Sequence, residues 1–240
     1  MIAVVLQARI DSSRLPGKSL MPLDGEPLVF RVMEALRRVP CDCHVLACPD
    51  DCAEAFGPYA ARTGFELFTG SKNDVLHRYC SAIRHFGIDR VIRATADNPF
   101  VFADAAFTLN NEATERCADY AAYNGIPYGA GVEPVSAEAL LRAERDAALA
   151  PEREHVCPYL YAHPELFLLH RPVAPLVWQG PAVRVTVDTR EDYERAVTLY
   201  QALSERADGD ARYCGERIVQ TYHEMFDGKS TEHTERGGRL

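Results

Sequence analysis

Apolar residues fall in two registers along this chain. Residues 2–8 form a nearly unbroken apolar run, whereas residues 26–38 place Leu28, Val32, Ala35 and Leu36 near helical spacing. The first pattern suits a strand covered on both faces and the second an amphipathic helix. The alternation continues with a strand over 43–48, a helix over 51–62, a short strand over 66–68, a helix over 74–86 opening after Asn73 as N-cap, and a strand over 89–95. Strands alternating with helices predict an α/β fold with a mostly parallel sheet, ligands gathering beyond the carboxyl ends of its strands.

Beyond Asp97-Asn98-Pro99-Phe100 the periodicity loosens. A helix is expected near 103–116, a strand over 119–123, a Gly/Pro-rich connection over 124–131, and a helix near 136–148 after Glu133. A short helix over 154–162, strands over 166–170 and 183–187, and helices near 191–205 and 215–226 complete the body. Residues 118–180 read as an insertion on the core sheet of one domain spanning 1–227, and 228–240 as a polar, disordered tail.

Composition narrows the classes. At 240 residues the chain is long enough to bury a large core, and its 47% hydrophobic and 25% charged content excludes gross disorder outside the ends. No apolar run approaches the ~20 residues of a membrane span, so no membrane partner and a cytoplasmic location are expected. The eight cysteines show no CxxC spacing, which favours reduced thiols over zinc or disulfides. A net charge of −9 argues against a general nucleic-acid surface, so any polyanion must be met by a local basic pocket.

Such a pocket is offered by Leu6-Gln7-Ala8-Arg9 through Arg14-Leu15-Pro16-Gly17-Lys18. Three cations follow a buried strand, in a turn stiffened by Pro16 and freed by Gly17, so Arg14, Lys18 and nearby N–H groups can face one anion. A solvated basic turn is the plainer alternative. Gly17-Lys18-Ser19 imitates the end of a P-loop, but Ser12 stands where that motif needs glycine, and no GxGxxG follows the strand.

Two carboxylates, Asp97 and Asp188, close the strand-like runs 91–95 and 183–187 on the ligand side of the sheet. Hard oxygens there suit Mg²⁺ held together with substrate phosphates. From spacing alone, capping of the next helix is an equal reading, and for Asp188 the neighbouring Thr189 offers a second cap.

The opening motif, together with Gly70-Ser71-Lys72-Asn73-Asp74-Val75-Leu76-His77-Arg78-Tyr79, Arg93-Ala94-Thr95-Ala96-Asp97-Asn98-Pro99, Arg153-Glu154-His155-Val156 and Arg184-Val185-Thr186-Val187-Asp188, resembles the cytidylyltransferases that activate acidic sugars, above all their spore coat polysaccharide branch. The resemblance implies a Rossmann-like nucleotide-diphosphosugar transferase fold and transfer of CMP from CTP to an acceptor oxygen, with release of pyrophosphate. It implies Arg14, Lys18, Asp97 and Asp188 as catalytic residues, with Asp97 and Asp188 holding Mg²⁺. Leu6, Gln7, Ala8, Arg9, Ser13, Arg14, Lys18, Asp74, Arg78, Thr95 and Asp97 would surround the nucleotide. Asn124, Tyr128, Glu133, Arg153, Glu154, His155 and Arg184 would face a small acidic or sugar-like acceptor, and the insertion would form a homodimer. The 121–132 connection is shorter than the family pattern, which leaves the acceptor open among sugar acids, other carbohydrate derivatives and phosphorylated or phosphonate compounds. A sibling using another nucleotide and a catalytically silent nucleotide-binding protein are the competing readings.

Overall fold

The computed structural model describes residues 1–206 and 211–226, so the expected tail over 228–240 lies outside the described residues. Strand β1 (Ile2–Gln7) is central, pairing in parallel with β4 (Cys43–Pro49) on one side and β6 (Arg90–Thr95) on the other. Strand β5 (Glu66–Gly70) extends the parallel group beyond β4. Side chains of β1 alternate between two cores, Val4 and Leu6 on one face and Ala3 and Val5 on the other, all fully buried. That double burial is why the strand reads as a continuous apolar run.

Between these strands, β2 (Pro22–Leu23) and β3 (Glu26–Pro27) form a tight hairpin around Asp24-Gly25, whose backbones both take positive φ. Such a turn is the usual two-residue hairpin connection. Residues 26 and 27 therefore belong to the hairpin, and the expected 26–38 helix is shorter, α1 (Leu28–Leu36). Helix α2 (Ala53–Thr63) joins α1 on one face of the sheet and α3 (Val75–Phe86) covers the other. The cap of α3 is Asp74, which accepts from the His77 amide at 2.9 Å, and not Asn73.

The second half of the sheet is built from shorter pieces. After α4 (Ala103–Glu115) come β7 (Tyr120–Ala121) and β8 (Glu133–Ser136), and β8 lies antiparallel against β6 in the register Arg93 to Glu133. A strand at 133–136 is a correction to the sequence reading, which took these residues only as the approach to a helix. Pro134 is tolerated because its nitrogen, like that of Ser136 two residues on, faces the β7 side, where β7 pairs with β8 only at Val135. Helix α5 (Ala137–Asp146) follows, capped by Ser136. The expected helix over 154–162 is two pieces, α6 (Ala150–His155) and α7 (Pro158–Ala162), broken where Val156 takes φ 73° ahead of Pro158. Strand β9 (Leu169–His170) closes the order β5-β4-β1-β6-β8-β7-β9, seven strands among the described residues.

Residues 183–187 are a second correction. They run extended but join no sheet, held to Tyr128 by an isolated bridge through Tyr128 N to Val183 O and Val185 N to Tyr128 O. The approach requires Gly129, at φ 97°, since a Cβ there would sit 2.5 Å from the Thr186 nitrogen. Helices α8 (Arg190–Ser204) and α9 (Gly215–Phe226) complete the α1 and α2 face. Among the described residues no helix is long and apolar enough to cross a membrane.

Candidate active site

A cleft of about 560 Å³ opens beyond the carboxyl ends of β1 and β6, walled on its far side by 128–133, 154–161 and 186–188. Its first wall is the loop after β1. That loop folds on itself through Gly17 N to Ile10 O at 3.3 Å, Leu15 N to Ser12 Oγ at 3.4 Å and Ser19 Oγ to Arg9 O at 2.9 Å, with Leu15 pinned in the core. Gly17 at φ 70° turns the chain so that Lys18 points inward.

Lys18 is the hub. Its ammonium donates to Asp97 Oδ2 at 2.9 Å, Asp188 Oδ1 at 3.0 Å and the Val187 carbonyl at 2.8 Å. Arg14 Nη2 also reaches Asp188 Oδ1, at 3.0 Å, while leaving about two thirds of its side chain exposed. Two carboxylates 91 positions apart in sequence thus converge on one cation. Burial alone would raise the Asp188 carboxyl, but Lys18, Arg14 and Arg184 hold it below its ordinary value.

Neither carboxylate caps a helix. Asp97 Oδ1 accepts from Thr95 Oγ1 at 2.7 Å, and α4 begins with Phe102 as N-cap, without a side-chain cap. For α8 the cap is Thr189, in a reciprocal box with Asp192, which leaves the Asp188 side chain free for the cleft. The capping alternative is thereby removed for both.

Asp188 arrives on coil and is braced from behind. Arg184 Nη2 donates to Asp188 Oδ2 at 2.8 Å and Arg184 Nε to Asp192 Oδ1 at 3.1 Å, while Asp192 also receives Arg195 and the backbone N–H groups of 188 and 189. Although Asp192 is buried, these donors depress its carboxyl strongly.

A cationic wall lies deeper in the cleft. Arg78 is 2% exposed, donates to the Ser71 carbonyl at 2.6 Å, and has its Nε buried without a hydrogen-bond partner. Burial lowers its pKa, and among the described residues no carboxylate pairs with it. An isolated buried guanidinium facing a cleft is costly unless an acceptor-bearing ligand completes it.

A cytidylyltransferase family model matches residues 3–217. The chain belongs to the cytidylyltransferase family. It is 35% identical over 217 residues to the spore coat polysaccharide biosynthesis protein SpsF of Bacillus subtilis, covering 88% of this chain and 90% of that protein. The fold matches a cytidylyltransferase from Leptospira borgpetersenii with TM-score 0.81 at 23% identity, over 95% of both chains. It also matches a CMP:2-keto-3-deoxy-manno-octonic acid synthetase complexed with CTP, with TM-score 0.64 at 19% identity, over 84% of this chain and 98% of that one. This cytidylyltransferase is accordingly an enzyme of the nucleotidyltransferase class with a Rossmann-like, mostly parallel sheet.

Of the residues singled out from the sequence, Gln7, Ala8, Arg9, Ser13, Arg14, Lys18, Arg78, Thr95, Asp97, Tyr128, Glu133, Glu154, His155 and Asp188 all line the cleft. Five do not. Leu6, within β1, is fully buried in the core on one face of the sheet. Asp74 caps α3 and takes Arg153 Nε at 2.6 Å, so this pair is spent fixing α6 against α3, with Arg153 also bound to the Glu144 and Ala147 carbonyls. Asn124 donates to the Arg171 carbonyl at 2.7 Å. Arg184 stands behind Asp188 and stacks on Tyr128, 4.9 Å from the ring centroid.

Arg93, absent from the expected set, lies on the cleft floor. It forms a close ion pair with Glu133, donates to Gln7 Oε1 at 3.1 Å, and shares Glu133 with the Tyr120 hydroxyl at 2.6 Å. Burial opposes its charge, yet Glu133 more than compensates and raises its pKa. The signal was a charge inside the apolar run Val91 to Ala94, an arrangement that demands a buried partner. Ser12, Thr186 and Tyr161 also line the cleft and carried no such signal.

Proposed function

We propose that this enzyme transfers CMP from CTP to an acidic sugar or related acceptor, releasing pyrophosphate in a Mg²⁺-dependent reaction. The observation that carries the reading is the convergence of Asp97 and Asp188 on Lys18 in a cleft that is also lined by Arg9, Arg14 and Arg78. The relative SpsF is named for polysaccharide biosynthesis, and the matched synthetase for CMP transfer to a keto-deoxy sugar acid.

Two hard carboxylate oxygens meeting at one cation position fit a divalent metal shared with substrate phosphates. Among the described residues no group of three or more His, Cys, Asp or Glu gathers, so the remaining ligands would be phosphate oxygens and water. When bound, the metal supplies charge neutralisation at the phosphates. Arg14 and Lys18 draw off the charge that develops on pyrophosphate as its bond to the α-phosphorus breaks and the acceptor oxygen forms the new one. Arg78 offers donors only, a match for the O2 and N3 acceptors of cytosine, whereas uracil presents N3–H. The acceptor side is Arg93, Glu133, Tyr128, Tyr161, Glu154 and His155.

A silent binding protein would have no need to hold two carboxylates around one cation. Incubation with each of the four nucleoside triphosphates, Mg²⁺ and a library of sugar acids tests the reading. CTP-dependent pyrophosphate release is expected; reaction with another nucleotide alone, or with none, would sink it. We also place the enzyme in a reducing, cytoplasmic compartment, in keeping with eight free cysteines. A homodimer would use the 118–180 face, where Val173, Leu176 and Val177 are exposed; mass measurement in solution checks it.

A further inference from the structure

An ammonium has three donors, and all three of Lys18's are filled, by Asp97, Asp188 and the Val187 carbonyl. The side chain is only 12% exposed. In this arrangement Lys18 cannot also grip a phosphate; to reach one it must release at least one carboxylate. The same point in space is where the two carboxylates converge, so an ammonium and a divalent cation cannot both occupy it. Without either, Asp97 and Asp188 would face each other as like charges at close range, an arrangement that drives them apart.

We infer that Lys18 is a displaceable counter-cation, holding Asp97 and Asp188 in register in the nucleotide-free enzyme and vacating their shared position only when metal and triphosphate arrive together. The inference rests on the metal part of the proposed function. Lys18 is built to move, since it follows Gly17 at φ 70° and carries a flexible four-carbon stem. Once it leaves the carboxylates, the triphosphate is the anion within its reach. Metal and nucleotide binding are then coupled, each weak alone and each strengthening the other by the same factor.

The test is Mn²⁺ binding, read by electron paramagnetic resonance and calorimetry on the full chain without acceptor. Wild type should bind Mn²⁺ weakly alone and more tightly with a non-hydrolysable CTP analogue. Lys18→Met should bind Mn²⁺ without nucleotide more tightly than wild type, on the order of ten-fold, and lose a matching share of the nucleotide enhancement. Lys18→Gln, which keeps a donor near the carboxylates, should shift in the same direction and serves if the methionine variant fails to fold. Nucleotide-free Mn²⁺ affinity in the folded variants equal to or weaker than wild type would overturn the inference while leaving the metal site standing. Absence of Mn²⁺ binding even with the analogue, or full binding by Asp97→Asn, would instead remove the metal reading itself.

Discussion

The two halves of the cleft reach their geometry by opposite routes. On the β1 and β6 side, long parallel strands buried on both faces end abruptly, and the residues just past their ends, Arg9 to Lys18 and Asp97, fall into the site by topology alone. On the 118–188 side, strands of two to four residues and an extended coil are held by the Arg93 to Glu133 pair, the Tyr128 bridge and the Arg184 brace. On the proposed function, the half built from parallel strand ends takes the constant task of gripping a triphosphate. A half held by specific polar contacts can change with the acceptor, because altering a few side chains re-aims it without disturbing the strands.

The largest break in this comparison should come from Asp97→Asn. Asp97 is the one carboxylate delivered by a strand end, and its fold-level role is small, so turnover should fall on the order of 10³-fold, ~4 kcal/mol in the barrier, with an unchanged melting temperature. Steady-state kinetics beside a thermal melt decides it; near-wild-type turnover would take Asp97 out of the site. Next comes Glu133→Ala in the other half, which strands the Arg93 guanidinium and the Tyr120 hydroxyl together. Side chains 14% and 22% exposed place the cost toward the lower end for a broken buried pair, ~3 kcal/mol of unfolding free energy by denaturant titration. Glu133→Gln, which keeps an acceptor, should recover part of that and raise the acceptor KM while leaving CTP affinity alone.

The same contrast explains what the sequence disclosed. In the first half the apolar run of β1 and the cations after it sit within one local stretch, so strand, loop and ligand side were all readable there. The Lys18 contacts to Asp97 and Asp188 span 79 and 170 positions and were not among the expectations: strand-end logic gave only a shared side of the sheet, and the family resemblance only a shared catalytic set. In the second half that logic misled. Residues 183–187 have strand composition yet pair only through a bridge, and 133–136, with its proline, looked unlike a strand yet lies beside β6. Asp74 and Arg153 looked like ligand contacts because nothing local reveals that they satisfy each other.

Arg78→Met sharpens the comparison from the nucleotide side. Removal of an uncompensated buried cation should leave the fold stable or slightly firmer, while discrimination of CTP over UTP falls on the order of 10²-fold. The loss should be the same for every acceptor. Competition kinetics with both nucleotides measures it, and retained selectivity would move base reading to the backbone around Gln7 and Ala8.

The smallest effect is expected from acid, and it should fall on one half only. Asp192 has its carboxyl depressed, so the stability it contributes is complete above the ordinary carboxylate range and is lost as pH drops toward its folded value. Protonation removes the charge that Arg184 and Arg195 pair with and leaves a weaker, partly blocked acceptor, so the brace behind Asp188 loosens. Asp97, held by Thr95 at a strand end, has no such dependence on Asp192. Acidification below pH ~4 should therefore loosen 183–188 before it loosens β6, by ~1 to 2 kcal/mol, visible as earlier hydrogen exchange in that segment. Asp192→Asn should show the loosening already at neutral pH and a flatter acid limb in its melting temperature. Equal exchange of both segments across that range would mean that Asp188 needs no brace, and that the two halves are less different than their construction implies.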